Sequence, residues 1–315
     1  MRDEAPRLIA PVNASPGGAA HEFAGENNMG SLVTSGLAAL VLGIAAAQAE
    51  PIKVVAAENV YGDLVQQIGG SSVEVTSILA NPNQDPHEFE ASTSTARLVA
   101  DAKLVIYNGA DYDPWMLKLL SASRAPSRKV IEVARLVHKR AGDNPHVWYD
   151  VAAISALAKA LADTLSTLDP AHRTDYAERH AAFERSMQPL VDRIAKMRIE
   201  FAGSAVTATE PIFGYMADAL GLKMRNSRLQ LAVMNGTEPS AKDIAVFEKD
   251  LRSRSVKVLL YNNQTTSALA ARLRTIAIEA GIPVVGVSET APPGMSYPQW
   301  MSSQLDALAR ALGER

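Results

Sequence analysis

Two loops in this sequence repeat one short phrase. ANPNQDPHEFEAS (residues 80–92) and DNPHVWYD (143–150) each set a histidine directly behind a proline and two residues ahead of an aromatic ring. The proline fixes φ just before the imidazole, and Phe89 or Trp148 packed beneath the ring would limit its rotamers, which is how a metal ligand is preorganised. His87 and His146 are therefore candidate nitrogen ligands of one divalent ion. Such an ion also needs counter-charge. Glu210 ends the run AVTATE directly before Pro211, and Glu289 follows IPVVGV, so both carboxylates stand just after stretches that read as strands. Two neutral imidazoles and two carboxylates form a mixed N/O set that offsets the double charge. Its hardness suits Mn²⁺ or Fe²⁺ at least as well as Zn²⁺, while the intrinsic order of affinities favours Zn²⁺ over Mn²⁺.

Each candidate also has an ordinary reading. A loop histidine is most often a surface residue, Glu210 would suit a helix N-terminus, and Glu289 could be a loop acid. His138, beside Val137, Lys139 and Arg140, reads as surface, and His21 belongs to the leader. His172 and His180, eight residues apart on a long helix, are too far apart to share an ion. Nucleophile chemistry has no motif to rest on: the chain has no G-x-S-x-G elbow, no H-E-x-x-H helix and no G-x-x-x-x-G-K-[ST] phosphate loop. It also has no cysteine, which removes disulfides and thiolate zinc sites together.

Convergence of these four side chains needs loops that meet at the carboxyl ends of parallel strands. Short β-branched runs alternate with amphipathic stretches from residue 50 on. Strands are expected at 52–57, 73–79, 103–108 and 129–133, then again at 205–210, 229–234, 256–261 and 282–287, a βαβ rhythm written twice. Between the two series, Tyr176, His180, Phe183, Met187, Leu190, Ile194, Met197 and Phe201 recur at spacings of three and four. They form one apolar stripe on a helix long enough to run along both halves, with a kink expected at Pro189. The same stripe also fits a coiled-coil dimer. Asp150 is the expected cap of a helix over 151–167.

Length and composition set the outer bounds. A chain of 315 residues exceeds one ordinary core, so two lobes are expected: 1–49 leader and signal peptide, 50–170 N-terminal α/β lobe, 171–202 joining helix, 203–315 C-terminal α/β lobe. A net charge of -3 gives no electrostatic footprint for nucleic acid. Ser31–Ala49 is uncharged and ends in Ala-Gln-Ala, the pattern of a signal peptide cut before Glu50, with Met29 an alternative start. With no cysteine to lipidate, the mature protein is expected free in the periplasm, with no stable membrane anchor.

The residues resemble a known family from about Ile52 to the C-terminus: the substrate-binding proteins of zinc and manganese ABC transporters. DPHEFE and NPHVW are similar to that family's two histidine-ligand loops, and ENVYGDLVQQIGG, YNGADYDPWM and TEPSAKDI stand where it has similar runs. The resemblance implies two α/β lobes joined by a rigid long helix, with a metal held between them by two ligands from each. His87 and His146 match the N-lobe ligands and Glu210 matches the third, which is His in many zinc binders and Glu in many manganese binders. The fourth is generally an Asp; here Glu289 stands in its place, with Asn263 and Gln264 as possible replacements. The His-rich acidic loop of many zinc-specific members is missing, since between Asp111 and Asp143 the only histidine is His138. The implied function is capture of one divalent ion (Mn²⁺ or Zn²⁺, with Fe²⁺ possible) by a monomer, and delivery to a membrane permease, without catalysis. A secreted metallohydrolase with an open coordination position, or an adhesin with a structural metal, are the rival readings.

Overall fold

The computed structural model describes residues 50–314 apart from Gln84, Asp85, His87, Glu88 and Thr266. The expected signal peptide and the ligand candidate His87 lie outside the described residues.

The first strand shows why the sheets form. In β1 (Ile52–Glu58) the residues from Val54 onward are all buried, the near-continuous apolar run of a parallel strand covered on both faces. Val54 and Ala56 enter one core cluster, Val55 and Ala57 the other, because successive side chains point to opposite faces. With β2 (Val73–Leu79), β3 (Leu104–Tyr107) and β4 (Lys129–Glu132) it makes a sheet of order β2-β1-β3-β4, every pair parallel. The second sheet repeats that order with β5 (Ala205–Ala208), β6 (Lys223–Arg225), β7 (Leu259–Asn262) and β8 (Val284–Val287): β6-β5-β7-β8, again all parallel. In each sheet the strand order reverses beside the first strand, which places a crevice at the carboxyl ends.

The helices α1 (Asn59–Gly69), α2 (Thr93–Asp101), α3 (Pro114–Ala122), α4 (Val133–Leu136) and α5 (Val151–Leu168) belong to the first series. The second comprises α7 (Gly214–Ala219), α8 (Ser227–Met234), α9 (Ala241–Arg252), α10 (Ala268–Glu279) and α11 (Tyr297–Leu312). Between them runs α6 (Arg173–Phe201), 29 residues and so about 44 Å long at about 1.5 Å per residue. Tyr176, Phe183, Met187, Leu190, Met197 and Phe201 form its buried face, packed against α1, α5 and α11 of the same chain. The stripe is thus covered from within, which leaves the coiled-coil reading no apolar seam. His180 is half-buried beside Glu184 at 3.6 Å, and the helix continues through Pro189. His172 stands in a short 3-10 turn (Pro170–His172) ahead of the helix, its Nδ1 2.6 Å from Asp169.

One expected strand is a helix, and one strand was not expected. Residues 229–234, read as a strand, lie in α8, and the missing fourth strand of the second sheet is Lys223–Arg225. LQLAVM is a nearly continuous apolar run, and six such residues cannot separate strand from helix. Lys-Met-Arg, short, basic and at the sheet edge, has almost no apolar signal to read.

Candidate metal centre

The loop that carries His146 is assembled around Asn144. Its Oδ1 accepts from the His146 backbone N–H at 3.1 Å and lies 2.7 Å from the ring Nδ1, while its Nδ2 donates to the carbonyl of Pro211 at 2.8 Å. The amide orientation fixed by the Pro211 carbonyl makes Oδ1 the acceptor, so Nδ1 carries the ring proton and Nε2 the lone pair. That is the tautomer a metal ligand needs. Gly214 makes the close approach possible, since a Cβ there would stand 2.7 Å from Asn144 Nδ2. The Tyr215 hydroxyl donates to the Asn144 carbonyl at 2.6 Å, so the loop is fastened to the opposite half at two points.

Aromatic rings hold the imidazole edge-on: Trp148 at 5.3 Å and Tyr112 at 5.9 Å between centroids, with both Trp148 and His146 fully buried. Directly beyond the histidine, Val147–Tyr149 form a 3-10 turn, and Asp150 caps α5 as expected, accepting from the Ala152 N–H at 3.0 Å. In the other proline-histidine loop, Pro86 is buried and Phe89 packs on Trp115 of α3, rings 4.6 Å apart.

The carboxylates arrive from the second sheet. Glu210 follows β5 and Glu289 follows β8, and both are buried, Glu289 completely. Glu210 precedes a 3-10 turn opened by Pro211, yet its side chain makes no capping bond, so the ordinary reading as a helix cap does not describe it. Asn262, the last residue of β7, donates from Nδ2 to Glu210 Oε2 at 3.2 Å and to Glu289 Oε1 at 2.7 Å. Glu289 Oε2 accepts from the Tyr112 hydroxyl at 2.8 Å and stands 3.5 Å from His146 Nε2. Burial, then the charge of Glu289, pushes the Tyr112 hydroxyl well above its ordinary range, so it remains a donor.

His146, Glu210 and Glu289 are therefore brought to one place, though far apart in sequence. Among the described residues no three His, Asp or Glu groups are close enough to ring an ion as they stand, because the Asn262 amide lies between the two carboxylates. Gln264 supports the site rather than reaching into it: its Oε1 accepts from the backbone N–H groups of Glu289 at 2.6 Å and Thr290 at 3.2 Å. Asn263 and His138 are exposed. Sequence reasoning missed Tyr112, Asn144 and Asn262 as partners of the ligand set. Only their position at strand ends or beside Pro145 offered a signal. Chemically, a buried imidazole lone pair beside two buried carboxylates fits a divalent cation, whose charge would offset the cost of their burial.

Residues 54–311 match the family model described as zinc-uptake complex component A, periplasmic. The chain is 22% identical over 320 residues to the manganese ABC transporter substrate-binding lipoprotein PsaA of Streptococcus pneumoniae serotype 4, covering 91% of this chain and 99% of that protein. It is 29% identical over 210 residues to the zinc-binding protein TroA of Treponema pallidum, covering 64% of this chain and 66% of that protein. The solved structure of periplasmic zinc-binding protein TroA from that organism shares the fold, with a TM-score of 0.71 at 21% identity over 84% of this chain and 99% of the other.

Proposed function

This chain belongs to the zinc-uptake complex component A family, and from that premise we propose that it captures one divalent transition-metal ion outside the cytoplasm and hands it to an ABC-type membrane permease for import. The relatives named as a manganese ABC transporter substrate-binding lipoprotein and as a zinc-binding protein support this reading. The observation that carries it is the meeting of buried His146 Nε2 with buried Glu289 Oε2 at 3.5 Å, with Glu210 joined to Glu289 through the Asn262 amide. The proposed ligands are His87, His146, Glu210 and Glu289, with the ion as cargo and no bond-breaking step.

Asn144 supplies the tautomer, and Asn262 and Tyr112 orient the carboxylates for an arriving ion. The N/O donor set suits Mn²⁺ or Zn²⁺: chelating carboxylates would raise the coordination number and favour Mn²⁺, single-oxygen binding would favour tetrahedral Zn²⁺. The export signal at Ser31–Ala49 and a lipid-free monomer complete the proposal. Calorimetric titration of Mn²⁺ and Zn²⁺ into wild type and His87→Ala tests it. One ion per chain in wild type, lost or strongly weakened in the variant, is the expected result; unchanged binding in His87→Ala would remove that ligand from the set.

A further inference from the structure

Behind the His146 loop lies a buried acid that the proposed metal site does not use. Glu58, the last residue of β1, is 1% exposed, and neither of its carboxyl oxygens meets a hydrogen-bond donor. Its side chain faces that of Asp113, also 1% exposed, at the start of α3. The two acids differ in their surroundings. Asp113 is supplied with donors: its Oδ2 accepts from the Asn108 N–H at 2.7 Å and its Oδ1 from the Gly109 N–H at 2.8 Å.

Two carboxylates in contact in a dry interior cannot both be ionised, and the one with amide donors keeps the charge. The titratable groups facing the pair supply no cation. They are Tyr61 on α1, Tyr112 in the loop after β3, Tyr297 on α11 behind Tyr61, and Tyr107 with its partner Glu132 on β3 and β4. Arg135 of α4 acts on Tyr107.

We infer that Glu58 is a neutral carboxylic acid that donates its own proton to Asp113, and that this proton braces the loop carrying His146. The brace is traceable atom by atom. Asp113 fixes the Asn108 backbone; the Asn108 side chain accepts from the Tyr61 hydroxyl at 2.5 Å and donates to the carbonyls of Gly109 at 2.9 Å and Pro145 at 2.8 Å. Pro145 is the residue directly before His146. Ionising Glu58 would set a second negative charge against Asp113 with no donor to receive it, and Asn108 would lose its anchor. Burial, followed by the charge of Asp113, acts in the same sense on Glu58, while burial lifts Asp113 to about 6 against the pull of the Gly109 and Asn108 amides.

The protonation state stands without the metal reading; only its effect on ion affinity rests on the proposed function. Infrared difference spectra of the full, metal-free chain at pH 7, wild type minus Glu58→Gln, should show the band of a protonated carboxyl. The native chain holds a proton that the unfolded chain gives up above about pH 4.5. Wild type should therefore lose stability relative to Glu58→Gln by about tenfold in the unfolding constant per pH unit from pH 6, above which Asp113 is ionised, to pH 7. A missing band and a pH-independent ratio would overturn the assignment. If the glutamine variant does not fold, unfolding wild type in urea at pH 7.5 should release about one proton from this acid, and release of none would be equally decisive. For the brace, Glu58→Leu, which has no proton to give, should lose about tenfold in Mn²⁺ affinity that Glu58→Gln retains. Equal Mn²⁺ affinities would overturn the brace, whereas binding of neither Mn²⁺ nor Zn²⁺ by any form, wild type included, would overturn both the brace and the metal reading and leave the proton assignment intact.

Discussion

At the scale of single residues the centre depends on Asn144 as much as on the histidine it orients. Asn144→Ala removes the acceptor of His146 Nδ1 and the tie to Pro211 together, and should weaken metal binding about 10- to 100-fold, the usual cost of losing such a partner. Calorimetry would measure it, and wild-type affinity in the variant would show that the tautomer is set some other way. Binding also requires neutral imidazoles and ionised carboxylates, so affinity should fall as pH drops from 7.5 to 5, through the usual histidine range near 6.5. A flat profile would contradict the ligand assignment. That His146, Glu210 and Glu289 come near one another was legible in the sequence because each is a metal-capable side chain at the end of a recognisable run. Asn262 and Tyr112 were not, since an amide and a phenol become significant only when the fold sets them against carboxylates that are 52 and 177 residues away in the chain.

At the scale of elements, the parallel strands buried on both faces were readable from their apolar runs, and α6 from its stripe. The failures were physical ambiguities: LQLAVM is too short and too uniformly apolar to show a period, and Lys223–Arg225 is held by pairing with β5 rather than by its own composition. Leu190, fully buried on α6, tests what the stripe does. Leu190→Ala should destabilise the protein by about 2–5 kcal/mol in urea unfolding, the transfer and cavity cost of such a truncation, with the number of ions bound per chain unchanged. A changed stoichiometry would mean that the helix shapes the site directly.

At the scale of the whole molecule, the halves are tied to each other by direct hydrogen bonds. Tyr297 donates to the Trp148 carbonyl at 2.8 Å, the Tyr149 hydroxyl lies 2.8 Å from the Ser288 carbonyl, and Asn59 exchanges two bonds with Ala291 at 2.8 and 3.0 Å. One core runs continuously from Val54 through α6 to Val285 and α11. On the proposed ligand set, a metal would be one more cross-link beside these bonds and this core. Chelation should lower the thermal midpoint without unfolding the protein, since an ion at about 1,000 times its Kd adds only about 4 kcal/mol; collapse of the fold on chelation would instead favour a structural metal. The most direct measurement is a crystal structure of the Mn²⁺-loaded protein with the ion located by its anomalous scattering. The account predicts one peak within about 2.0–2.3 Å of His146 Nε2 and of oxygens from Glu210 and Glu289, with His87 completing the set. A peak elsewhere, or none on protein that binds the ion in solution, would contradict it.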